Sequence, residues 1–137
     1  LHPEAQAVPG ILILRPHTGL FFANAERVFA QVQKYITAAG DSVHTIILSL
    51  EESPDLDSSS VEALQDFCKV VLDQNKHLML ARLKTRVQQV LIRAEIPGLP
   101  IDVLCALSVD DVVRVAQELY SGPKTGSLDA IYNEPTL

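Results

Sequence analysis

The chain has 137 residues, 47% of them hydrophobic, and this length and composition predict one compact domain with little room for a second. Its formal charge is −6, and no lysine and arginine cluster is dense enough to follow a phosphate backbone, so no nucleic acid partner is expected. No apolar run approaches the ~20 residues that cross a bilayer, so we expect the fragment itself to be soluble.

Cysteine and histidine content argues against a disulfide scaffold and a metal centre. Cys68 and Cys105 have no CxxC spacing, which favours a reducing compartment. The four histidines lack the spacing of metal ligands, so we predict no metal site. No cofactor is predicted either, because the sequence contains neither GxxxxGK[ST] nor GxGxxG. The first residue, Leu1, is not Met, which indicates a fragment or a processed product.

The first third of the chain predicts two strands and a helix. Residues 11–14, between two prolines, form a short apolar run typical of a strand. "LFF" at residues 20–22 predicts a second brief strand that pairs with the first as an antiparallel hairpin. Apolar side chains at three- and four-residue spacing then predict a helix that Asn24 caps and Gly40 ends.

The rest of the chain continues this alternation. Residues 46–48 predict a buried strand, and the stripe from Val61 to Leu72 predicts a helix. "HLMLARL" predicts a third central strand, and "IDVL" at residues 101–104 predicts a short last one. Capping boxes are expected at Thr85 with Gln88 and at Ser108 with Asp111, each opening a helix; the second helix should stop near Gly122.

Strands that alternate with helices predict an α/β fold with a mostly parallel sheet. We expect four to five mixed, mostly parallel strands flanked by about four helices. Residues 1–8 are predicted to form an N-terminal linker, 9–122 the domain, and 123–137 a flexible tail rich in turn-forming residues.

"DLDSSSVEAL" at residues 55–64 is the stretch with most chemical content, and it has three interpretations. A serine nucleophile would need a G-x-S-x-G turn and a placed histidine, and neither is evident. Ser59 and Glu62 have the spacing of a capping box, worth roughly 0.5 to 2 kcal/mol. A phosphate on these serines would meet the free N–H groups at a helix start, at the sheet edge where α/β folds usually place sites.

The same stretch resembles the D-S-S-G-x-x-x-L element of the STAS family, the domain shared by anti-sigma factor antagonists and SulP-type anion transporters. "VPGILILRPHTGLFFANAERV" is similar to the start of the STAS domain in SulP transporters. The likeness covers roughly residues 9–119 and implies a STAS-like α/β fold.

The resemblance implies a non-catalytic regulatory and interaction domain on the cytoplasmic face of the plasma (inner) membrane. The transmembrane domain of the same polypeptide would be its partner and would move sulfate, bicarbonate or a similar anion. Cytoplasmic regulatory proteins or a kinase, and weakly bound nucleotide, are further partners that it suggests. The alternative is a free anti-sigma factor antagonist switched by phosphorylation at Ser59.

In the antagonist branch the second serine of the motif receives phosphate, and Ser59 matches it, with Ser58 and Ser60 less favoured. Asp57 matches the aspartate, and Ser60 stands where the family usually has glycine. Arg82, Lys84, Arg86 and Arg93 could form a basic interaction surface. For Phe21 and Phe22 we expect packing in the core; the alternative is that one ring packs in the core and the other contacts the membrane domain.

Overall fold

The computed structural model describes residues 4–99 and 108–120. Within them the chain alternates between strands and helices as predicted. The elements in chain order are β1 (Glu4–Val8), β2 (Ile11–Arg15), α1 (Ala25–Ala39), β3 (Thr45–Ser49), α2 (Ser58–Asp73), β4 (His77–Ala81), α3 (Thr85–Ala94) and α4 (Val109–Tyr120).

These four strands form one mixed sheet in the order β1-β2-β3-β4. β1 pairs antiparallel with β2, whereas β2, β3 and β4 run parallel, with Ile11 opposite Thr45 and Thr45 opposite His77. The predicted α/β class and the mostly parallel sheet are confirmed. "IDVL" and the tail at 123–137 lie outside the described residues.

The prediction that residues 20–22 pair with residues 11–14 as a hairpin is wrong. β2 pairs with the preceding residues Glu4–Val8, which were expected to belong to a linker, through a tight turn at Pro9 and Gly10. Gly10 has a φ of 78°, a conformation that suits glycine in such a turn. Residues 20–22 form no strand. Leu20 is buried, and the chain after it turns directly into α1.

The helix boundaries follow local chemistry only in part. Asn24 stands at the N-cap position of α1 as predicted, but its side chain makes no capping hydrogen bond. Gly40 closes α1 with a φ of 79°, as predicted. Ser108 opens α4, where its Oγ accepts the N–H of Asp111 at 3.2 Å. At α3 the capping residue is Lys84, so the predicted box of Thr85 is wrong; the Gln88 side chain instead donates to the carbonyl of Leu83.

Helices cover the central strand on both faces, since all five residues of β3 are buried. α1 and α2 pack on each other, and α4 packs on β3 and β4. Phe29 of α1 stacks on Phe67 of α2 with ring centroids 4.9 Å apart. The aromatic pair fixes the two helices whose N-termini define the candidate site.

At the amino-terminal edge of the parallel strands, a buried lysine lies near two histidines. Lys76 Nζ donates to the carbonyl of Val43 at 2.6 Å and to the carbonyl of Gly40 at 3.1 Å. The ammonium thus lies at the carboxyl-terminal end of α1, where a positive charge is favourable. Burial lowers the pKa of His44, and the neighbouring His77 and Lys76 lower it further. Burial also lowers the pKa of His77.

This edge predicts that the protein loses stability in mild acid. Both imidazoles bind a proton more readily in the unfolded chain than in the folded one. Their contribution to the free energy of unfolding is therefore complete above about pH 6.5, and it is lost as the pH falls toward the folded pKa values. Urea unfolding at several pH values should show this decline, and His44→Asn should reduce its slope. His17→Asn, at an exposed histidine after β2, is the control; an unchanged slope in His44→Asn would contradict the assignment.

Candidate functional site

The serine stretch lies at the carboxyl edge of the parallel strands, as predicted from its position after β3. Three segments meet there: residues 16–24 after β2, residues 50–57 after β3 and residues 82–84 after β4. His77 begins β4 and therefore lies at the opposite edge from the serines. His77, the histidine downstream of the serine stretch, is therefore not placed to act as a base for these serines.

Asp57, and not Ser59, caps the helix that follows. α2 begins at Ser58, and Asp57 Oδ1 accepts the N–H of Ser60 at 2.7 Å. The box predicted for Ser59 and Glu62 is therefore wrong, because the helix starts one residue before Ser59. The sequence did contain the correct signal, since Asp57 is separated from Ser60 by the spacing of an N-cap and its N3 residue.

The three serines differ in access. Ser58 and Ser59 are exposed in the first turn of α2, whereas Ser60 is fully buried. Among the described residues, Ser60 Oγ has no hydrogen-bond partner. The side chain at the family's glycine position therefore points into the fold, and an enzyme can reach only Ser58 and Ser59 without opening it.

The carboxylate of Asp57 also holds a second segment of the chain. Its Oδ2 accepts the N–H of Phe22 at 2.9 Å. Ser60, chiefly through its N–H, stabilises the charged form and lowers the pKa of Asp57, and the N–H of Phe22 adds a smaller effect in the same direction. One side chain thus joins the start of α2 to the turn that precedes α1, a contact between residues too distant in sequence to be predicted.

That turn, Phe21–Asn24, presents two aromatic rings to solvent, and we call it the aromatic turn. Phe21 is 47% exposed and Phe22 73% exposed, and their rings meet edge to face at 5.9 Å. The buried Asn24 holds the turn, since its Oδ1 accepts the N–H of Phe21 at 2.8 Å and its amide donates to Gly19 at 2.9 Å. The expectation that both rings pack in the core is wrong; in "LFF" at residues 20–22 only Leu20 is buried.

Acidic residues of the loop after β3 pair with arginines from three neighbouring segments. The pairs are Arg15 with Glu51 and Glu52 at 3.6 and 3.4 Å, Arg82 with Glu51 at 3.4 Å, and Arg86 with Asp55 at 3.1 Å. Each such exposed pair contributes little alone, about 0 to 1 kcal/mol. Together they orient the loop that carries Asp57.

These pairs divide the basic surface suggested by the sequence. Arg82 and Arg86 face the protein's own carboxylates, whereas Lys84 and Arg93 are exposed and have no ion pair within the described residues. Within the same residues, no three His, Cys, Asp or Glu side chains come together in an arrangement that could hold a metal ion. The geometry at this edge is that of a charged, hydrogen-bonded surface beside an aromatic one.

The capping geometry predicts different effects of two neighbouring substitutions. Asp57→Ala removes the acceptor of Ser60 and should lower the free energy of unfolding by about 0.5 to 2 kcal/mol, as other N-cap losses do. Ser59→Ala should leave it nearly unchanged, because Ser59 is exposed and is not the cap. Urea unfolding of the two variants at neutral pH measures the difference, and an equal loss in both would contradict the assignment.

The second bond of Asp57 can be followed by NMR. The Phe22 amide proton should shift as acid protonates Asp57, at a pH below the usual carboxylate range because the folded state lowers this pKa. The Phe21 amide is the internal control, since its acceptor is the uncharged Asn24. Asp57→Asn should abolish the Phe22 titration; a titration that persists in this variant would assign it to another acid.

Comparison with known proteins gives the family. The family model of the STAS domain matches residues 2–119. The chain is 31% identical over 88 residues to Sulfate transporter 1.3 of Arabidopsis thaliana, a match that covers 58% of this chain and 13% of that protein. It is 23% identical over 134 residues to High affinity sulfate transporter 2 of Stylosanthes hamata, which covers 92% of this chain and 20% of that protein.

Two solved structures share the fold. The murine Solute Carrier 26 family member A9 anion transporter, in the inward-facing state, superposes with a TM-score of 0.71 at 17% identity, over 85% of this chain and 22% of that one. A candidate anti-sigma factor antagonist from Thermotoga maritima superposes with a TM-score of 0.66 at 18% identity, over 84% and 94% of the two chains. At these identities the likeness shows the fold alone.

The chain spans a fifth or less of the length of the two sulfate transporters that it matches. Within the described residues, every helix is too short or too polar to span a bilayer. Because the family model covers most of the chain, and because the fold agrees with it, this protein belongs to the STAS domain family.

Proposed function

We propose that this chain is a non-catalytic regulatory and interaction domain of a SulP-type anion transporter. Its partner would be the transmembrane part of the same polypeptide, and its place the cytoplasmic face of the membrane. The similarity to plant sulfate transporters, over a small share of their length, supports this proposal. The transported species would be sulfate or a similar anion.

The aromatic turn is the observation that carries the proposal. An exposed pair of phenylalanines is costly on an isolated domain and is typical of the centre of a protein interface. The turn is also held in place, by Asn24 from within and by Asp57 from α2, so little ordering cost remains when a partner binds. We infer that Phe21 and Phe22 contact the membrane part.

The coding sequence upstream of Leu1 provides the first test. We expect apolar segments of about 20 residues, each long enough to span a bilayer. A start codon within a few residues of Leu1 would contradict the transporter assignment and would favour the alternative function.

In the full-length polypeptide, Phe22→Ser should reduce anion uptake or delivery to the membrane. Removing an exposed aromatic anchor from an interface typically costs 1 kcal/mol or more of binding, a factor of about five or more in affinity. Ile92→Ser is the matched control, because Ile92 is an exposed apolar residue on α3, away from the aromatic turn. Equal uptake in Phe22→Ser and the unchanged protein would contradict the proposed contact.

A second candidate function is that of a free anti-sigma factor antagonist switched by phosphate. The exposure of Ser59 in the first turn of α2 favours it, since a phosphate there would meet the positive end of the helix. The test is incubation with a cognate protein kinase and ATP, followed by intact mass. The expected result is one phosphate on the starting protein and none on Ser59→Ala, with Ser58→Ala as the control; no mass gain with the kinase would contradict this function.

A further inference from the structure

A separate concave site lies away from the serine stretch, between the loop after β2 and the outer face of α1. Its volume is about 310 Å³, which is the lower end of the size range of small-molecule sites. Pro16, His17 and Thr18 form one wall, and Arg27, Gln31 and Lys34 of α1 form the other. The buried residues Pro16 and Val28 provide an apolar floor.

The charge of this pocket is opposite to that of the protein. The chain carries a formal charge of −6, but none of the described residues that line the pocket is an aspartate or a glutamate. Arg27 and Lys34 have no ion pair within the described residues, whereas Arg15, one residue before the pocket wall, is paired with Glu51 and Glu52. Within the described residues, the acidic loop after β3 therefore forms no ion pair with the two cations of the pocket.

Spacing along α1 gathers the polar groups on one side of the helix. Arg27, Gln31 and Lys34 stand at positions i, i+4 and i+7, and these positions share one helix face. Gln33, on another face of α1, bonds instead to Gln74 of α2 at 2.9 Å. Arg27, Gln31 and Lys34 thus line the same concavity.

The loop wall is held by its neighbours. Gly19 lies against the main chain of Glu52, where an added Cβ would come within 2.5 Å of the carbonyl oxygen. The N–H of Leu20 donates to the buried Ser53 Oγ at 3.0 Å, and Asn24 donates to the carbonyl of Gly19. Pro16 restricts the backbone further. The chain is therefore held at Gly19 and Leu20, directly after the wall residues.

We propose that this pocket binds a phosphate monoester. The Arg27 fork matches two phosphate oxygens, Lys34 supplies a second positive charge, and Gln31 and Thr18 offer further donors. The apolar floor would contact the organic group that carries the phosphate. This goes beyond the proposed function, since it needs neither the aromatic turn nor the serines.

Binding can be measured on the 137-residue chain with two soluble probes, inorganic phosphate and glycerol 3-phosphate. Titration followed by NMR should shift the amides of Thr18, Arg27 and Gln31. Arg27→Gln and Lys34→Gln should each weaken binding about tenfold, the loss typical of a hydrogen bond to a charged group. Lys69→Gln and Arg114→Gln remove the same charge from exposed positions outside the pocket and should bind as the unchanged protein does.

A second arm distinguishes a soluble ester from a lipid headgroup. Phosphatidylcholine vesicles with and without phosphatidic acid are sedimented with the chain and with the same variants. Sedimentation that needs phosphatidic acid and fails in Arg27→Gln identifies a lipid source, and NMR shifts without sedimentation identify a soluble one. If neither probe binds, or if the control variants lose as much binding as the pocket variants, the proposal is overturned.

Discussion

Parallel pairing of β2, β3 and β4 is the constraint on which the rest of the structure depends. It sends the segments that follow these strands to one edge, so residues far apart in sequence become neighbours. Asp57 then joins two of these segments with a single carboxylate. The aspartate of the family motif therefore connects two loops by hydrogen bonds, in addition to capping a helix.

Charge is distributed unevenly around this framework. The acidic loop after β3 forms ion pairs with the arginines nearest to it. The cations on the outer face of α1 form no ion pair within the described residues and can interact with solvent or a ligand. At the opposite edge Lys76 is buried against main-chain carbonyls. A protein with a net negative charge thus has local surfaces of both signs, and each is fixed by a particular element.

Sequence reasoning predicted the fold class, α1, β3 and β4, because hydrophobic periodicity is a local signal. The family was predicted from the resemblance of two motifs, "DLDSSSVEAL" and "VPGILILRPHTGLFFANAERV". Sequence reasoning missed β1, whose sequence EAQAV contains alanine and glutamate, residues that are uncommon in strands, and it took "LFF" for a strand because aromatic residues favour strands. In the candidate site it identified the right stretch but the wrong cap, since Ser59 and Asp57 both have capping partners three residues on. The Phe22 bond and the burial of Ser60 depend on tertiary contacts that no local pattern encodes.

The bond between Phe22 and Asp57 has a further consequence for the order of folding. Its partners are 35 residues apart, so closing that loop costs chain entropy, which the pairing of β2 with β3 must first offset. We therefore expect the aromatic turn to reach its final position against α2 only after the central sheet has formed. A chain with an unfinished core would display mobile phenylalanines in place of the ordered pair, and a membrane partner or a chaperone could distinguish the two states.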